Sequence, residues 1–201
     1  MADAPIPVKC AHRPTVGGYV IPFANVQLAD GGCDFRSHHT TRFALCISQG
    51  RCQICGLPFD GLISLLGGPR QVESGLFDEP PMHPVCARYA TQACPMIRGD
   101  RTHYATGPTI TQRHRGEKCT LAGCECGGWV ATPGTERASD GGDPAHEWWE
   151  LQVREYAIVV NDTGRIWAVK PIGPVVRKRL VYADRPGYQE EGGPHGDSVG
   201  P

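Results

Sequence analysis

Two closely spaced pairs of metal-binding side chains constrain this chain more than any other feature. Cys52 and Cys55 form a Cys-x2-Cys pair, and 27 residues separate it from a His-x2-Cys pair, His83 and Cys86. A redox Cys-x2-Cys pair begins a helix, whereas a strand-like apolar run at 62–66 follows here. The spacing therefore predicts one zinc site formed by the two pairs, with buried thiols and a capping histidine as the alternative.

The residues around each pair predict how the ligands are presented. Gly56 directly follows the first pair and allows a tight knuckle, because glycine accepts a positive φ. Pro84 suits the first turn of a helix, so His83 and Cys86 are expected at a helix N-terminus. A knuckle, a strand and a ligand-bearing helix start are the plan of a treble-clef-like zinc finger. Cys94 lies two turns farther along that helix and is expected to be a core or supporting residue.

A second group of thiols, at Cys119, Cys124 and Cys126, lies on a Gly-rich stretch. Three thiolates with His114, or with His103, would complete a tetrahedral set for a second zinc ion. The Cys-x4-Cys-x-Cys spacing is less standard than that of the first group. Reactive thiols and an ordinary loop with incidental cysteines therefore remain as alternatives.

Composition decides how the ten cysteines are interpreted. The N-terminus lacks the basic and apolar regions of a signal peptide, and no apolar run is long enough to span a membrane. We therefore expect a soluble cytoplasmic protein, where reducing conditions favour metal binding over disulfides. Cys46 recurs with apolar residues at helical spacing in 37–49 and is expected to be buried.

The expected fold class is α+β, with Gly/Pro-rich loops, because 26 glycines and 18 prolines favour turns over long regular elements. Asp30-Gly31-Gly32 predicts a hairpin turn, and the apolar pattern of 148–160 changes parity near Glu155, which indicates a bulge or break. The predicted organisation has four parts: a zinc-binding α+β region with short helices at 1–130, with sites around 52–86 and 114–126; a linker or exposed loop at 131–146; an antiparallel β unit at 147–183; and a disordered tail at 184–201.

The net charge of the chain indicates what kind of macromolecule it can bind. The formal net charge is −1, which argues against autonomous binding to nucleic acid through phosphates. Arg177, Lys178 and Arg179 nevertheless form a compact basic patch. We assign it as a candidate partner-binding site, with an ordinary solvated surface as the alternative.

Several short motifs occur in the first half of the chain: RCQICGLP at 51–58, GGP at 67–69, EPPMHPVCARYA at 79–90 and ACP at 93–95, together with PIP at 5–7 and IPFANV at 21–26. Through these motifs the first half resembles a family of short, Cys-rich, zinc-finger-like proteins of actinobacteria and their phages. The resemblance implies a phage or actinobacterial setting and supports pairing Cys52 and Cys55 with His83 and Cys86. It implies no activity.

These observations favour a non-enzymatic, zinc-stabilised interaction module that binds a protein partner, including one already bound to DNA. A recombination directionality factor acting on a serine integrase, or a transcription regulator, is an example of such a role. The alternative is a zinc-scaffolded nuclease of the His-Asn-His type, which requires a general-base histidine and a further metal ligand on the following helix. Residues 85–94 contain no Asn, Asp or His, which leaves His38, His39 and His103 as candidates.

Overall fold

A computed structural model describes residues 4–101, 103, 124–125, 129–130 and 147–181. The predicted linker at 131–146 and the predicted tail at 184–201 lie outside these residues. Short helices and antiparallel strands make up the described fold, so the predicted α+β class is confirmed.

The helices are short and begin mostly at proline. A 3-10 helix, Val8–Cys10, precedes α1 (Thr40–Ser48), α2 (Pro69–Ser74), α3 (Pro84–Ala93) and α4 (Pro95–Arg98). The strands, in chain order, are β1 (Thr15–Val16), β2 (Tyr19–Val20), β3 (Asn25–Gln27), β4 (Cys33–His39), β5 (Ile63–Gly67), β6 (Trp129–Val130), β7 (Trp149–Val153), β8 (Glu155–Val160), β9 (Ile166–Ile172) and β10 (Arg177–Leu180). In the part of the chain that the structure describes, no helix is long and apolar enough to cross a membrane.

The sheets join segments that are distant in sequence. The strand orders are β10-β7-β5 and β3-β4-β6, and β1-β2 and β8-β9 form two hairpins. The predicted turn at Asp30-Gly31-Gly32 connects β3 and β4, and Gly31 has a φ of 81°. The predicted break near Glu155 separates β7 from β8. The last strand, β10, pairs with β7, and β7 in turn pairs with β5 of the N-terminal half of the chain.

Strand β5 lies between two hydrophobic cores, and all five of its residues are buried. Leu66 belongs to the cysteine-rich core, whereas Ile63 and Leu65 belong to the aliphatic core. The cysteine-rich core comprises Cys10, Val20, Cys52, Ile54, Cys55, Leu66, Met82, Cys86, Ala87, Tyr89, Ala90, Ala93 and Val181. The aliphatic core comprises Phe43, Ile47, Ile63, Leu65, Phe77, Leu151, Val153 and Val169.

Candidate metal centre

The first pair of ligands lies on a tight turn of the backbone. The Gly56 amide donates to the Cys52 carbonyl at 2.8 Å, and the Cys52 amide donates to the Leu57 carbonyl at 2.9 Å. Gly56 has a φ of 76°, and a Cβ atom added to it would lie 2.7 Å from Phe23 Cγ. Glycine is therefore required here both for backbone conformation and for space. The predicted knuckle is confirmed.

The second pair lies at the start of α3, as predicted. His83 precedes the helix in an extended conformation, with a φ of −64° and a ψ of 147°, and Pro84 is the first helical residue. The preceding residue, Met82, pairs with Ser64 through two backbone hydrogen bonds of 2.8 and 2.9 Å. This pairing fixes the helix start against β5. The knuckle is fixed to the same segment, because the Gln53 amide donates to the Pro81 carbonyl at 2.9 Å.

The four predicted ligands converge in the interior. Cys52, Cys55, His83 and Cys86 are all buried, and their donor atoms all lie within 4.8 Å of one another. Cys55 Sγ and His83 Nδ1 are 3.4 Å apart. A sulfur and a nitrogen bound to one tetrahedral Zn²⁺ lie about 3.6 Å apart, given bonds of about 2.3 and 2.0–2.1 Å. The group could therefore hold a metal ion.

The orientation of His83 leaves one ring nitrogen available as a ligand. Its Nε2 lies 3.0 Å from the Pro58 carbonyl oxygen, which can only accept a hydrogen bond. Nε2 therefore carries the proton, and the lone pair of Nδ1 faces Cys55. Asp60 Oδ1 lies 3.4 Å from Nε2, and the Phe59 ring contacts the imidazole edge-on at 5.2 Å between centroids. Such outer contacts fix the tautomer and ring orientation of metal-binding histidines.

Burial and hydrogen bonds among the thiols of the group shift their pKa values in opposite directions. Burial raises the pKa of Cys52 to about 12, whereas hydrogen bonds from Cys52 and Cys86 lower the pKa of Cys55. Hydrogen bonds from Cys10, Cys52 and Cys55 raise the pKa of Cys86. A divalent cation would displace the thiol protons and allow all three thiols to ionise. Metal binding by this group would therefore release protons.

Sequence reasoning missed the part that the N-terminal segment plays at this centre. Cys10 Sγ lies 3.7 Å from Cys86 Sγ, and His12 Nε2 lies 2.9 Å from the Cys55 carbonyl oxygen. More than forty residues separate Cys10 from the knuckle, so no local spacing links the two. The available signal was the Cys-x-His pattern at 10–12, which places two ligand-type residues together.

The second predicted site falls largely outside the described residues. Cys119, Cys126 and His114 are not among them, and Cys124 is half-buried. Its neighbour Glu125 is held against β3, because its amide donates to the Gln27 carbonyl at 3.0 Å. The Glu125 carboxylate also pairs with Arg42. Within the described residues, only the Cys52–Cys86 group brings together three or more His, Cys, Asp or Glu side chains that could bind one metal ion.

The predicted basic patch divides into different environments. Arg179 Nε lies 2.6 Å from the buried Glu150 carboxylate, which also accepts a hydrogen bond from Ser64 at 2.5 Å. Lys178 Nζ lies 4.8 Å from the centre of the Trp149 ring. Arg177 is exposed. Arg179 therefore stabilises the β10-β7-β5 sheet, whereas Arg177 and Lys178 lie at the surface.

The histidines considered for catalysis have different surroundings. His38 is buried, with Nε2 3.1 Å from Gln53 Nε2 and 3.5 Å from Glu79 Oε2. His39 is half-buried at the start of α1, and His103 is exposed. His38 therefore contributes to an internal polar cluster.

Comparison with known proteins adds no further constraint. No protein-family model matches the sequence, and neither the curated proteins nor the solved structures give a match. Functional inference therefore rests on the metal centre and surfaces of this chain.

Proposed function

We propose that the protein is a non-enzymatic interaction module whose scaffold is stabilised by one zinc ion bound by Cys52, Cys55, His83 and Cys86. The observation that carries this proposal is the burial of all four donors in one group. Thiolates with imidazole are ligands that zinc prefers, and a closed four-ligand set is typical of structural sites. A catalytic zinc site would need an open position for water or substrate.

The order of the surrounding elements supports a treble-clef-like region. The knuckle at 52–56 is followed by β5, and α3 then carries the second ligand pair. The knuckle and the start of α3 come from segments separated by 27 residues, so a bound ion would link them directly. The proposed role of zinc is to hold these segments together.

A partly apolar surface at 172–178 supports binding to a protein partner. Ile172, Val175 and Val176 are between 44% and 48% exposed, and Arg177 and Lys178 follow them. Exposed apolar side chains grouped in one segment can mark an interaction site, and arginine is enriched at protein interfaces. We propose that this segment binds a partner carrying apolar and acidic side chains.

The biological role proposed for this module is accessory regulation in a phage or actinobacterial setting. The resemblance of the first half supports the setting, and a net charge of −1 favours a protein partner over free DNA. A partner already bound to DNA, such as a serine integrase in recombination or a transcription complex, would fit this combination.

Gel mobility shifts test the dependence on a partner. When the purified protein alone is titrated into duplex DNA at moderate salt, the mobility of the DNA is expected to stay unchanged. Addition to a preformed integrase–DNA or polymerase–DNA complex is expected to shift that complex further. Tight, salt-sensitive binding of DNA by the protein alone would contradict the proposal.

Substitutions in the 172–178 segment test the proposed surface. Val175→Asp with Val176→Asp is expected to abolish the shift of the complex, because two buried charges would face the partner. Val8→Asp is the matched control, since Val8 is 91% exposed on the N-terminal 3-10 helix. Equal loss in both variants, or loss in neither, would contradict the assignment of this surface.

The nuclease alternative is tested with the same preparations. Supercoiled plasmid incubated with the protein and Mg²⁺ is expected to remain intact. Nicking that depends on Mg²⁺ and disappears in His38→Ala or His103→Ala would favour the nuclease over the interaction module.

A further inference from the structure

Cys10 lies next to the candidate metal group, outside the four donors but in contact with one of them, Cys86. It is 1% exposed, and its Sγ lies 3.7 Å from Cys86 Sγ. Two sulfurs bound to one tetrahedral Zn²⁺ lie about 3.7–3.8 Å apart when each bond is about 2.3 Å. Cys10 and Cys86 are therefore already separated by a distance at which one metal ion can bind both.

Contacts on both sides of Cys10 hold its segment at the centre. Lys9 Nζ lies 2.6 Å from Asp60 Oδ2, and His12 Nε2 lies 2.9 Å from the Cys55 carbonyl oxygen. The other oxygen of Asp60 is 3.4 Å from His83 Nε2. The segment that carries Cys10 therefore contacts both the knuckle and the loop next to the His83 ring.

We propose that Cys10 and His83 are alternative fourth ligands, so that the centre exchanges a set of three thiolates and one imidazole for a set of four thiolates. This inference rests on the proposed metal site at Cys52, Cys55, His83 and Cys86. In the exchange a metal–nitrogen bond breaks and a metal–sulfur bond forms, with no change in oxidation state. Cys10 loses its thiol proton to solvent, and His83 leaves as a neutral imidazole.

The exchange would change the charge and the metal preference of the centre. Four thiolates carry one more negative charge around the ion than three thiolates with imidazole. Thiolate ligands favour soft cations, so the four-thiolate set is suited to Zn²⁺ and Cd²⁺ in particular. The same protein would then retain its metal when the histidine ligand is withdrawn.

The test replaces His83 with glutamine, a polar side chain of similar length that is a poor zinc ligand. The probe is ¹¹³Cd²⁺, whose NMR resonance moves to lower field with each added sulfur ligand, and affinity is measured by competition with a chelator. The wild type and Cys10→Ser are expected to bind one ion with the same three-sulfur resonance. His83→Gln is expected to bind one ion with its resonance moved to lower field.

A double variant identifies the donor. His83→Gln with Cys10→Ser is expected to bind Cd²⁺ about 100-fold more weakly than His83→Gln alone. Loss of a residue that only hydrogen-bonds to a ligand lowers metal affinity about 10- to 100-fold, and loss of a ligand itself should lower it at least as much. His83→Gln with Cys94→Ser is the control. Cys94 lies at the end of α3, outside the donor group, so this variant should match His83→Gln.

The outcomes separate this inference from the proposed site. An unshifted resonance in His83→Gln, or no added loss from Cys10→Ser, would overturn the ligand exchange while leaving the site of three thiolates and one imidazole intact. Failure of the wild type to bind any metal would overturn both. His83→Asn is the second replacement should His83→Gln not fold, and loss of metal from both replacements would overturn the exchange.

Discussion

The cysteine-rich core and the aliphatic core meet at β5 but differ in their residue composition. The aliphatic core contains two phenylalanines, and isoleucine, leucine and valine make up the rest. The cysteine-rich core contains four cysteines and three alanines, and His83 lies buried beside it. Large apolar side chains make up the whole of the first, whereas cysteines and alanines are seven of the thirteen buried residues of the second. The proposed metal ion would stabilise that side of β5 in addition to hydrophobic burial.

Removal of the metal is predicted to have the largest effect, and it should be unequal between the cores. Structural zinc contributes about 10–16 kcal/mol in small zinc-dependent domains. Chelation should therefore expose the amides of the knuckle and α3 to hydrogen exchange, while those of β7 and β9 lose less protection. Exchange measured by mass spectrometry, with and without chelator, tests this, and equal loss of protection in both cores would remove the distinction.

Phe77→Ala tests the aliphatic core. The side chain is fully buried, and its backbone pairs with Val169 of β9. The expected loss in the free energy of unfolding is about 3–5 kcal/mol, with metal content unchanged. Phe35→Ala, at a side chain that is about half exposed, should cost at most about 0.5 kcal/mol. Loss of the metal from Phe77→Ala would show that the two cores are not separable.

Arg179→Ala tests the polar contact across the shared sheet. It would leave the buried Glu150 carboxylate without its cation, at a cost of about 3 kcal/mol. This is the lower end of the range for such pairs, because Arg179 is partly exposed. Arg177→Ala, two residues away at an exposed position, should change stability by less than about 0.5 kcal/mol. Denaturant unfolding measures both, and equal effects would assign the pair no structural role.

Gly56→Ala tests the close approach of Phe23 to the knuckle. Alanine at a φ of 76° costs about 1–2 kcal/mol, and contact with Phe23 adds about 1–3 kcal/mol of overpacking. Gly75→Ala is matched in φ, at 69°, but a Cβ atom there meets nothing within 4 Å. The difference between the two free energies of unfolding isolates the Phe23 contact, and identical values would show that Phe23 moves away without cost.

Each of the two pairs of candidate ligands could be predicted from the sequence because its geometry is local. Cys52 with Cys55, and His83 with Cys86, are each placed by a single turn of backbone, and Gly56 and Pro84 mark those turns. The hairpin after β3 and the break before β8 have similarly local causes.

Long-range pairings could not be predicted in the same way. Cys10 contacts Cys86, which lies 76 positions later in the sequence. Strand β7 pairs with β5, although more than eighty residues separate the two strands. Helix α2 was also missed, because Pro69–Ser74 has no buried residue and therefore no apolar periodicity. The two long-range pairings could not be predicted because they depend on contacts between segments that are distant in sequence.

Metal content per chain of the purified protein tests the central claim most directly. The account predicts zinc in the wild type, a loss of one equivalent in Cys52→Ser, and no loss in Cys46→Ser, which removes a buried thiol outside the donor group. A second site that includes Cys124 would add a further equivalent without changing that difference. Absence of metal from the wild type, or equal metal in Cys52→Ser and Cys46→Ser, would contradict the account.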